Sequence, residues 1–354
     1  MTMAQAIDSI RPSDSTAMRR AEARQLTLTK PPGSLGRLEE ISVRLAGIFG
    51  SELPRVRGKA VIVAAADHGV VAQGVTGYPQ EVTAQMVLNF LGRGAAVSVM
   101  SERLGVRQVI VDAGVASDLP AHPELRSLKV GRGTDDISRG PAMSRDQAGR
   151  CVEAGIQLAI EVIESGADLI ATGDMGIGNT TPSSAITASV TGRPPDETTG
   201  EGTGRAPDEL RRKIEVVRAA ILTNQPDPTD GLDLLSKLGG FEIGTLAGVI
   251  LGTAMMRRAV VLDGFISGAA ALTAHALCPI SRDYMIASHV SAERGHRLAL
   301  AHLELSPLLD LGMRLGEGTG AVLAMPVIET AAACLSEMAT FGEAGVSDRE
   351  EDTD

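Results

Sequence analysis

The chain has 354 residues, 44% of them hydrophobic and 22% charged, with 40 glycines, 2% aromatics and no tryptophan. That length can bury a large core with a smaller appendage beside it. A net charge of −11 with 33 thinly spread Lys and Arg excludes a phosphate-backbone surface, and the scarcity of aromatics excludes a base-stacking one, so no nucleic-acid partner is expected.

The first fifty-odd residues have helical spacing and precede any strand-like run. Residues 1–55 are therefore expected to form a small helical region, with 320–345 packing alongside. A series of short β-branched runs follows, at 59–69, 107–115, 168–176, 258–265 and 283–290. Between them, apolar residues recur at three- and four-residue intervals over 81–91, 145–165, 208–222, 241–257, 267–277, 291–304 and 320–339, with Ser144 and Ser291 placed to cap. This alternation predicts an α/β fold: an open, mainly parallel, Rossmann-like sheet with helices on both faces, occupying 56–319 and carrying the active site. The Gly-, Pro- and acid-rich stretch 191–209 is expected to be a long functional loop, and 346–354 a disordered acidic tail. No period of a repeat protein is visible.

Cys151, Cys278 and Cys334 are odd in number and far apart, which fits neither a disulfide framework nor a zinc site. His68, His122, His275, His289, His296 and His302 lack the i, i+4 spacing of a helical metal site, so neither metal nor cofactor is expected. No stretch approaches the roughly 18 uninterrupted apolar residues of a membrane span, and the first twenty residues hold no long apolar core. A soluble, cytoplasmic protein with no membrane partner is the expectation.

In an open parallel sheet ligands bind outside the carboxyl ends of the strands. Asp67-His68-Gly69, Asp112-Ala113-Gly114, Asp174 to Gly178, Asp263-Gly264 and Ser288-His289 are placed there. In "GDMGIGNTT" (173–181), Gly176 and Gly178 let backbone amides approach a ligand at the start of a helix, which makes a phosphate site. A tight turn with capping threonines explains the same residues. The stretch lacks the Lys-Ser/Thr ending of a P-loop and the dinucleotide fingerprint. In "RLGEGTGA" (314–321), Glu317 stands on a bare glycine loop, either as a helix-start acid or as a desolvated carboxylate able to take a proton. Tyr78, in the turn before a helix carrying Gln85, is either a pocket wall or surface packing. Lys213 either reaches a phosphate or is solvated. "GTDDI" (133–137) has the look of an acidic magnesium box but follows no clean strand.

Several long blocks carry a family resemblance: "KPPGSLGRLE" (30–39), "ADHGV" (66–70), "GVTGYPQEVTAQMV" (74–87), "GTDDISRGPAMSRDQA" (133–148), "TGDMGIGNTTPSSAI" (172–186), "GGFEIGTLAG" (239–248), "VLDGFISGAAAL" (261–272), "SHVSAERGH" (288–296) and "LDLGMRLGEGTGAVLAMP" (309–326). Together they resemble the nicotinate-nucleotide–dimethylbenzimidazole phosphoribosyltransferase family over roughly residues 30 to 340. The resemblance implies transfer of the phosphoribosyl group of nicotinate mononucleotide to 5,6-dimethylbenzimidazole, with inversion, giving α-ribazole 5′-phosphate and nicotinate for the lower ligand of cobalamin. Carried onto matching positions, Glu317 is the general base, and Asp174 stabilises an oxocarbenium-like transition state. Gly176, Ile177 and Gly178 with Lys213 and Ser291 lie at the phosphate and ribose. Tyr78, Gln85 and Leu315 fall at the benzimidazole pocket, Asp263 and Gly264 near the substrate. Met175, Asn179, Thr180, Gly202 and Gly204 complete the expected substrate contacts. The family also implies a homodimer, for which the apolar helix 241–257 is a candidate face, although core burial explains its apolarity equally well. Asp174 stands where the family pattern has Glu, and Gly77 where it often has Ser. A magnesium-dependent transferase using phosphoribosyl pyrophosphate, and a non-catalytic nucleotide sensor, are the alternative readings.

Overall fold

The protein is described here from a computed structural model that covers residues 2–200 and 207–347. Six strands make one fully parallel sheet: β1 (Lys59–Ala66), β2 (Arg107–Gly114), β3 (Leu125–Ser127), β4 (Leu169–Met175), β5 (Ala259–Leu262) and β6 (Met285–Ala287). Their order is β3-β2-β1-β4-β5-β6, so the chain reverses its direction of travel between β1 and β4. The strands read as unbroken apolar runs because helices cover both faces of the sheet.

The helices are α1 (Met3–Ser9), α2 (Ser15–Gln25), α3 (Arg37–Phe49), α4 (Glu81–Leu91), α5 (Ala96–Arg103), α6 (Arg145–Glu164), α7 (Thr180–Thr191) and α8 (Pro195–Thr198). They continue with α9 (Pro207–Asn224), α10 (Gly231–Leu238), α11 (Phe241–Met255), α12 (Phe265–Leu277), α13 (Arg294–His302), α14 (Thr319–Glu337) and α15 (Phe341–Ala344). Helices α11 and α12 lie on one face of the sheet, with α6 packed over α11; α3, α4, α5 and α14 contact strands on the other. Helix α1 packs on α6 and α11, whereas α2 and α3 pack with α14 around Ala21, Ala46 and Leu335. By length and composition α14 is apolar enough to cross a membrane. It is a core helix instead, seated on β1, β4 and β5, with Glu329 paired to Lys59 at 2.5 Å.

Ser144 forms the expected capping box with Gln147 at the start of α6. Ser291 does not cap: α13 begins at Arg294, and the Ser291 hydroxyl accepts the Glu293 amide at 3.3 Å. The stretch 191–209 is not one loop, since it contains α8 and the start of α9. Gly202 and Gly204 lie outside the described residues, as does 348–354 of the acidic tail. The predicted strand at 283–290 shortens to β6 because a 3-10 turn runs through Tyr284. Helix α11 is no subunit face: it is buried between α6 and the sheet.

Glycine makes that burial possible. A Cβ on Gly155 would overlap the Thr245 carbonyl, and one on Gly248 the Val152 carbonyl, so α6 and α11 meet backbone to backbone. Gly149, on the same helix α6, has open space beside it. Gly248→Ala is therefore expected to cost about 1–3 kcal/mol through overpacking, whereas Gly149→Ala stabilises by about 0.5–1 kcal/mol. Urea midpoints of the two variants check this; equal shifts would remove the close-packing account.

Candidate active site

Above the reversal between β1 and β4, the ends of β4 and β5 bring three carboxyl groups together. Asp174, near the end of β4 and opposite Ala64 of β1, is 5% exposed. Its Oδ2 accepts from Asn179 Nδ2 at 2.9 Å, while Oδ1 has no hydrogen bond among the described residues. Gly316 lies directly against it, since a Cβ there would sit 3.4 Å from both carboxyl oxygens. Burial pushes Asp174 well above the usual carboxylate range, reinforced by the charge of Asp263 and, more weakly, of Glu242 and Glu317; the Asn179 bond opposes this.

Glu317 occupies a strained stretch. Its φ is +62°, between Gly316 at +83° and Gly318 at +92°, so three successive residues take the left-handed conformation. The loop presses on β4 so closely that a Cβ on Gly173 would overlap the Glu317 carbonyl. Asp263, just past β5, holds it there. Its Oδ2 accepts from the Gly318 amide at 3.1 Å, and its Oδ1 from Gly320 at 2.7 Å and Ala321 at 3.0 Å. The Glu317 side chain, 6% exposed, turns toward α5, where Oε2 accepts from the Val97 amide at 3.4 Å. Burial raises its pKa, the Val97 amide opposes, and Asp263 adds to the rise.

The glycine turn is anchored from several sides. The Ile177 amide donates to Thr83 Oγ1 of α4 at 3.1 Å and so is not available to a ligand. Gly178 has φ +89°, and a Cβ on Gly176 would lie 3.3 Å from His68 Nε2. Helix α7 starts without a side-chain cap: Asn179 at the N-cap already has helical dihedrals, and its Nδ2 donates to Asp174. Lys213 of α9 reaches this helix start: Nζ donates to Thr180 Oγ1 at 2.7 Å and to the Gly200 carbonyl at 3.3 Å. At 3% exposure, burial draws its pKa down to about 8, with Glu293 acting the other way. Gly264 and Ser291 are neighbours, a Cβ on the glycine falling 3.9 Å from that of the serine.

The geometry thus joins Asp174, Asn179 and Glu317, and separately Thr180 with Lys213. Met175 is half-buried, while Tyr78, Gln85 and Leu315 are exposed, Tyr78 by 52%. Asp263 has its oxygens engaged by the loop, so its observed contacts are with the backbone that carries Glu317. Asp67 accepts from Ala116, and Asp112 from Val115 and Lys129, so these strand-end acids are locally engaged. Within "GTDDI", Asp136 accepts from Gln73 at 2.6 Å and from the Ser138 amide and hydroxyl at 3.0 and 2.7 Å.

Sequence reasoning missed Glu242 altogether. It is fully buried, and its Oε1 lies 2.8 Å from His68 Nε2 beneath the glycine turn. The available signal was its place as the one ionisable residue of α11. Thr83 gave no signal, being an ordinary threonine on an amphipathic helix.

Residues 10–346 match the family described as Phosphoribosyltransferase, DBI_PRT. The chain is 57% identical to the nicotinate-nucleotide–dimethylbenzimidazole phosphoribosyltransferase of a Roseiflexus species, over 99% of both chains. It is 58% identical to the protein of the same name from Chloroflexus aggregans, again over 99% of both. The crystal structure of the Thermus thermophilus nicotinate-nucleotide–dimethylbenzimidazole phosphoribosyltransferase aligns with a TM-score of 0.90 at 46% identity, covering 95% of this chain and 100% of that one.

A buried acid with a raised pKa binds more protons folded than unfolded, so its contribution makes stability fall as pH climbs from the ordinary aspartate range toward the raised value. Asp174→Asn keeps an oxygen for Asn179 and removes that penalty. The variant is expected to be more stable than the parent by on the order of 1 kcal/mol at neutral pH, with the difference vanishing in acid. Thermal melts across pH check this; a destabilised variant at neutral pH would contradict it.

Proposed function

The chain belongs to the nicotinate-nucleotide–dimethylbenzimidazole phosphoribosyltransferase family, and we propose that the carboxyl cluster at the ends of β4 and β5 is where it performs that family's transfer. The phosphoribosyl group of nicotinate mononucleotide passes to 5,6-dimethylbenzimidazole, giving α-ribazole 5′-phosphate and nicotinate for the lower ligand of cobalamin. The observation that carries the reading is a buried, loop-borne Glu317 beside a second buried carboxyl, Asp174.

The nicotinate leaving group is already a pyridinium, so its departure needs no acid. Positive charge develops at the ribose as the bond breaks. Asp174 lies where its carboxylate stabilises that charge: burial raises its pKa, and positive charge developing beside it favours the ionised form. The attacking azole nitrogen becomes cationic unless the N–H on the other nitrogen is removed. Glu317 takes that proton, and its raised pKa brings it closer to the pH at which it works. Lys213, Thr180 and the uncapped start of α7 bind the 5-phosphate. Met175, Tyr78, Gln85 and Leu315 border the azole. Inversion at C1′ follows from seating the two bases on opposite faces of one ribose.

The engaged oxygens of Asp136 disfavour a magnesium site at "GTDDI", and with it the pyrophosphate-dependent alternative. The non-catalytic sensor predicts nucleotide binding without nicotinate release. We read the enzyme as a cytoplasmic homodimer; exposed Tyr78, Leu311 and Leu315 support an apolar contact surface, and the scattered free cysteines support a reducing compartment.

Incubation with nicotinate mononucleotide and dimethylbenzimidazole is expected to release nicotinate and form the phosphoribosylated azole. Glu317→Gln keeps an acceptor for Val97 but cannot take the proton, so turnover should fall by about 10² to 10⁴ with little change in thermal stability. An acceptor that carries no N–H should lose less. Equal losses for every acceptor would make Glu317 a positioning group and overturn its assignment as the base.

A further inference from the structure

Lys213 occupies an unusual seat for a phosphate ligand. It is almost wholly buried, and its hydrogen-bond partners among the described residues, Thr180 Oγ1 and the Gly200 carbonyl, are both neutral. A buried ammonium without a counter-charge tends to lose its proton. The counter-charge is present, one layer away. Glu293, at the N-cap of α13, is 7% exposed, and its Oε2 makes no hydrogen bond among the described residues. Gly200 lies between the two groups: its carbonyl faces the lysine, and a Cβ on its other side would overlap the Glu293 carboxylate. Only glycine lets the acid approach so closely.

Resting on the assignment of Lys213 to the substrate phosphate, we propose that Glu293 is a positioning residue for the reaction: acting across Gly200, it keeps Lys213 cationic while leaving an N–H of the ammonium free for the phosphate. A direct ion pair would take that donor and offset the charge the phosphate needs. The separated arrangement avoids both losses, since two of the ammonium's three N–H groups are engaged by Thr180 and Gly200.

Several other charged groups around these helices have partners of their own. On α8, which packs against both α9 and α13, Asp196 pairs with Arg218 at 3.0 Å and Glu197 with Arg193 at 3.7 Å. On α10, Asp233 pairs with Lys237 at 2.9 Å, and Asp230 just before it with Arg145 at 2.7 Å. Helix α7 presents Thr180. On α13 itself, Arg297 pairs with Asp310 at 3.6 Å, Arg294 lines the same open depression as Glu293, and His296 accepts the Ser291 amide at 2.9 Å. The Glu293 amide donates to Ser291 Oγ, which fixes the acid to the segment carrying a second proposed phosphate residue. Burial takes Lys213 down to about 8, and Glu293 is the charge that opposes it.

The test is the pH profile of kcat/KM for nicotinate mononucleotide in the parent, Glu293→Gln, Glu293→Asp and Lys213→Ala proteins. The parent is expected to lose affinity as pH rises through about 8. In Glu293→Gln this limb moves to lower pH, so that at pH 8 KM rises about tenfold with kcat within about twofold. Glu293→Asp keeps the charge one methylene farther off and should fall between the two, which also serves should the Gln variant fail to fold. A Glu293→Gln profile superimposed on the parent, or a loss equal at every pH, overturns the proposal. Lys213→Ala separates the two claims: if it removes the limb and raises KM while Glu293→Gln does neither, only the role of Glu293 falls. If Lys213→Ala changes neither, the phosphate assignment itself has failed, and the proposal with it.

Discussion

The site depends on one carboxylate gripping three backbone amides. Asp263 emerges from the end of β5 and accepts from Gly318, Gly320 and Ala321 at the entry to α14. Glycine accommodates two of the three consecutive left-handed residues, but without that grip nothing in the local sequence favours the third, Glu317. Such a conformation costs a non-glycine residue about 1–2 kcal/mol, and three charge-assisted hydrogen bonds can offset it. The clamp also fixes α14 to the sheet. With α14 seated on β1, β4 and β5, the Glu317 side chain points toward the start of α5, and the neighbouring Gly316 lies over Asp174.

This arrangement is electrostatically costly. Asp174, Glu242, Asp263 and Glu317 are all buried, and each of the other three raises the pKa of Asp174. His68 Nε2 lies beside Glu242, and His289 Nδ1 is 3.9 Å from Asp263. A fold selected for stability alone would not concentrate like charges under a glycine turn. A site at which positive charge develops on a ribose as a pyridinium leaves benefits from them, because that charge appears in the transition state and the carboxyls are already in place to meet it.

The architecture was legible because a parallel sheet buried on both faces writes itself as apolar runs separated by helical periodicity, and α4 begins and ends where that periodicity does. Shorter elements were hidden. Helix α5 starts at Ala96 without a capping side chain and mixes Val with Ser. Helix α10 follows a Pro- and Asp-rich turn that obscures it, although Asp230 caps it. Strand β3 is three residues at a sheet edge. Within the site, Glu317 stood out because glycines flank it, and Asp174 because it precedes a glycine turn at a strand end. The use of Asp263 did not stand out: an Asp-Gly after a strand suits a ligand contact and a backbone clamp equally, and only the position of α14 decides between them. Glu242 and Glu293 act through residues distant in sequence, and no spacing rule reaches them. The apolarity of α11 reflects core packing, which composition cannot distinguish from a subunit face.

We propose that Asp263 serves the chemistry through the loop it holds and not through the substrate. A double-mutant cycle on kcat with Asp263→Asn and Glu317→Gln tests it most directly. If the clamp works through Glu317, the double variant turns over at the rate of Glu317→Gln alone, within about twofold, although Asp263→Asn by itself is slow. Losses that multiply would contradict the account and place Asp263 in independent contact with the reacting ribose.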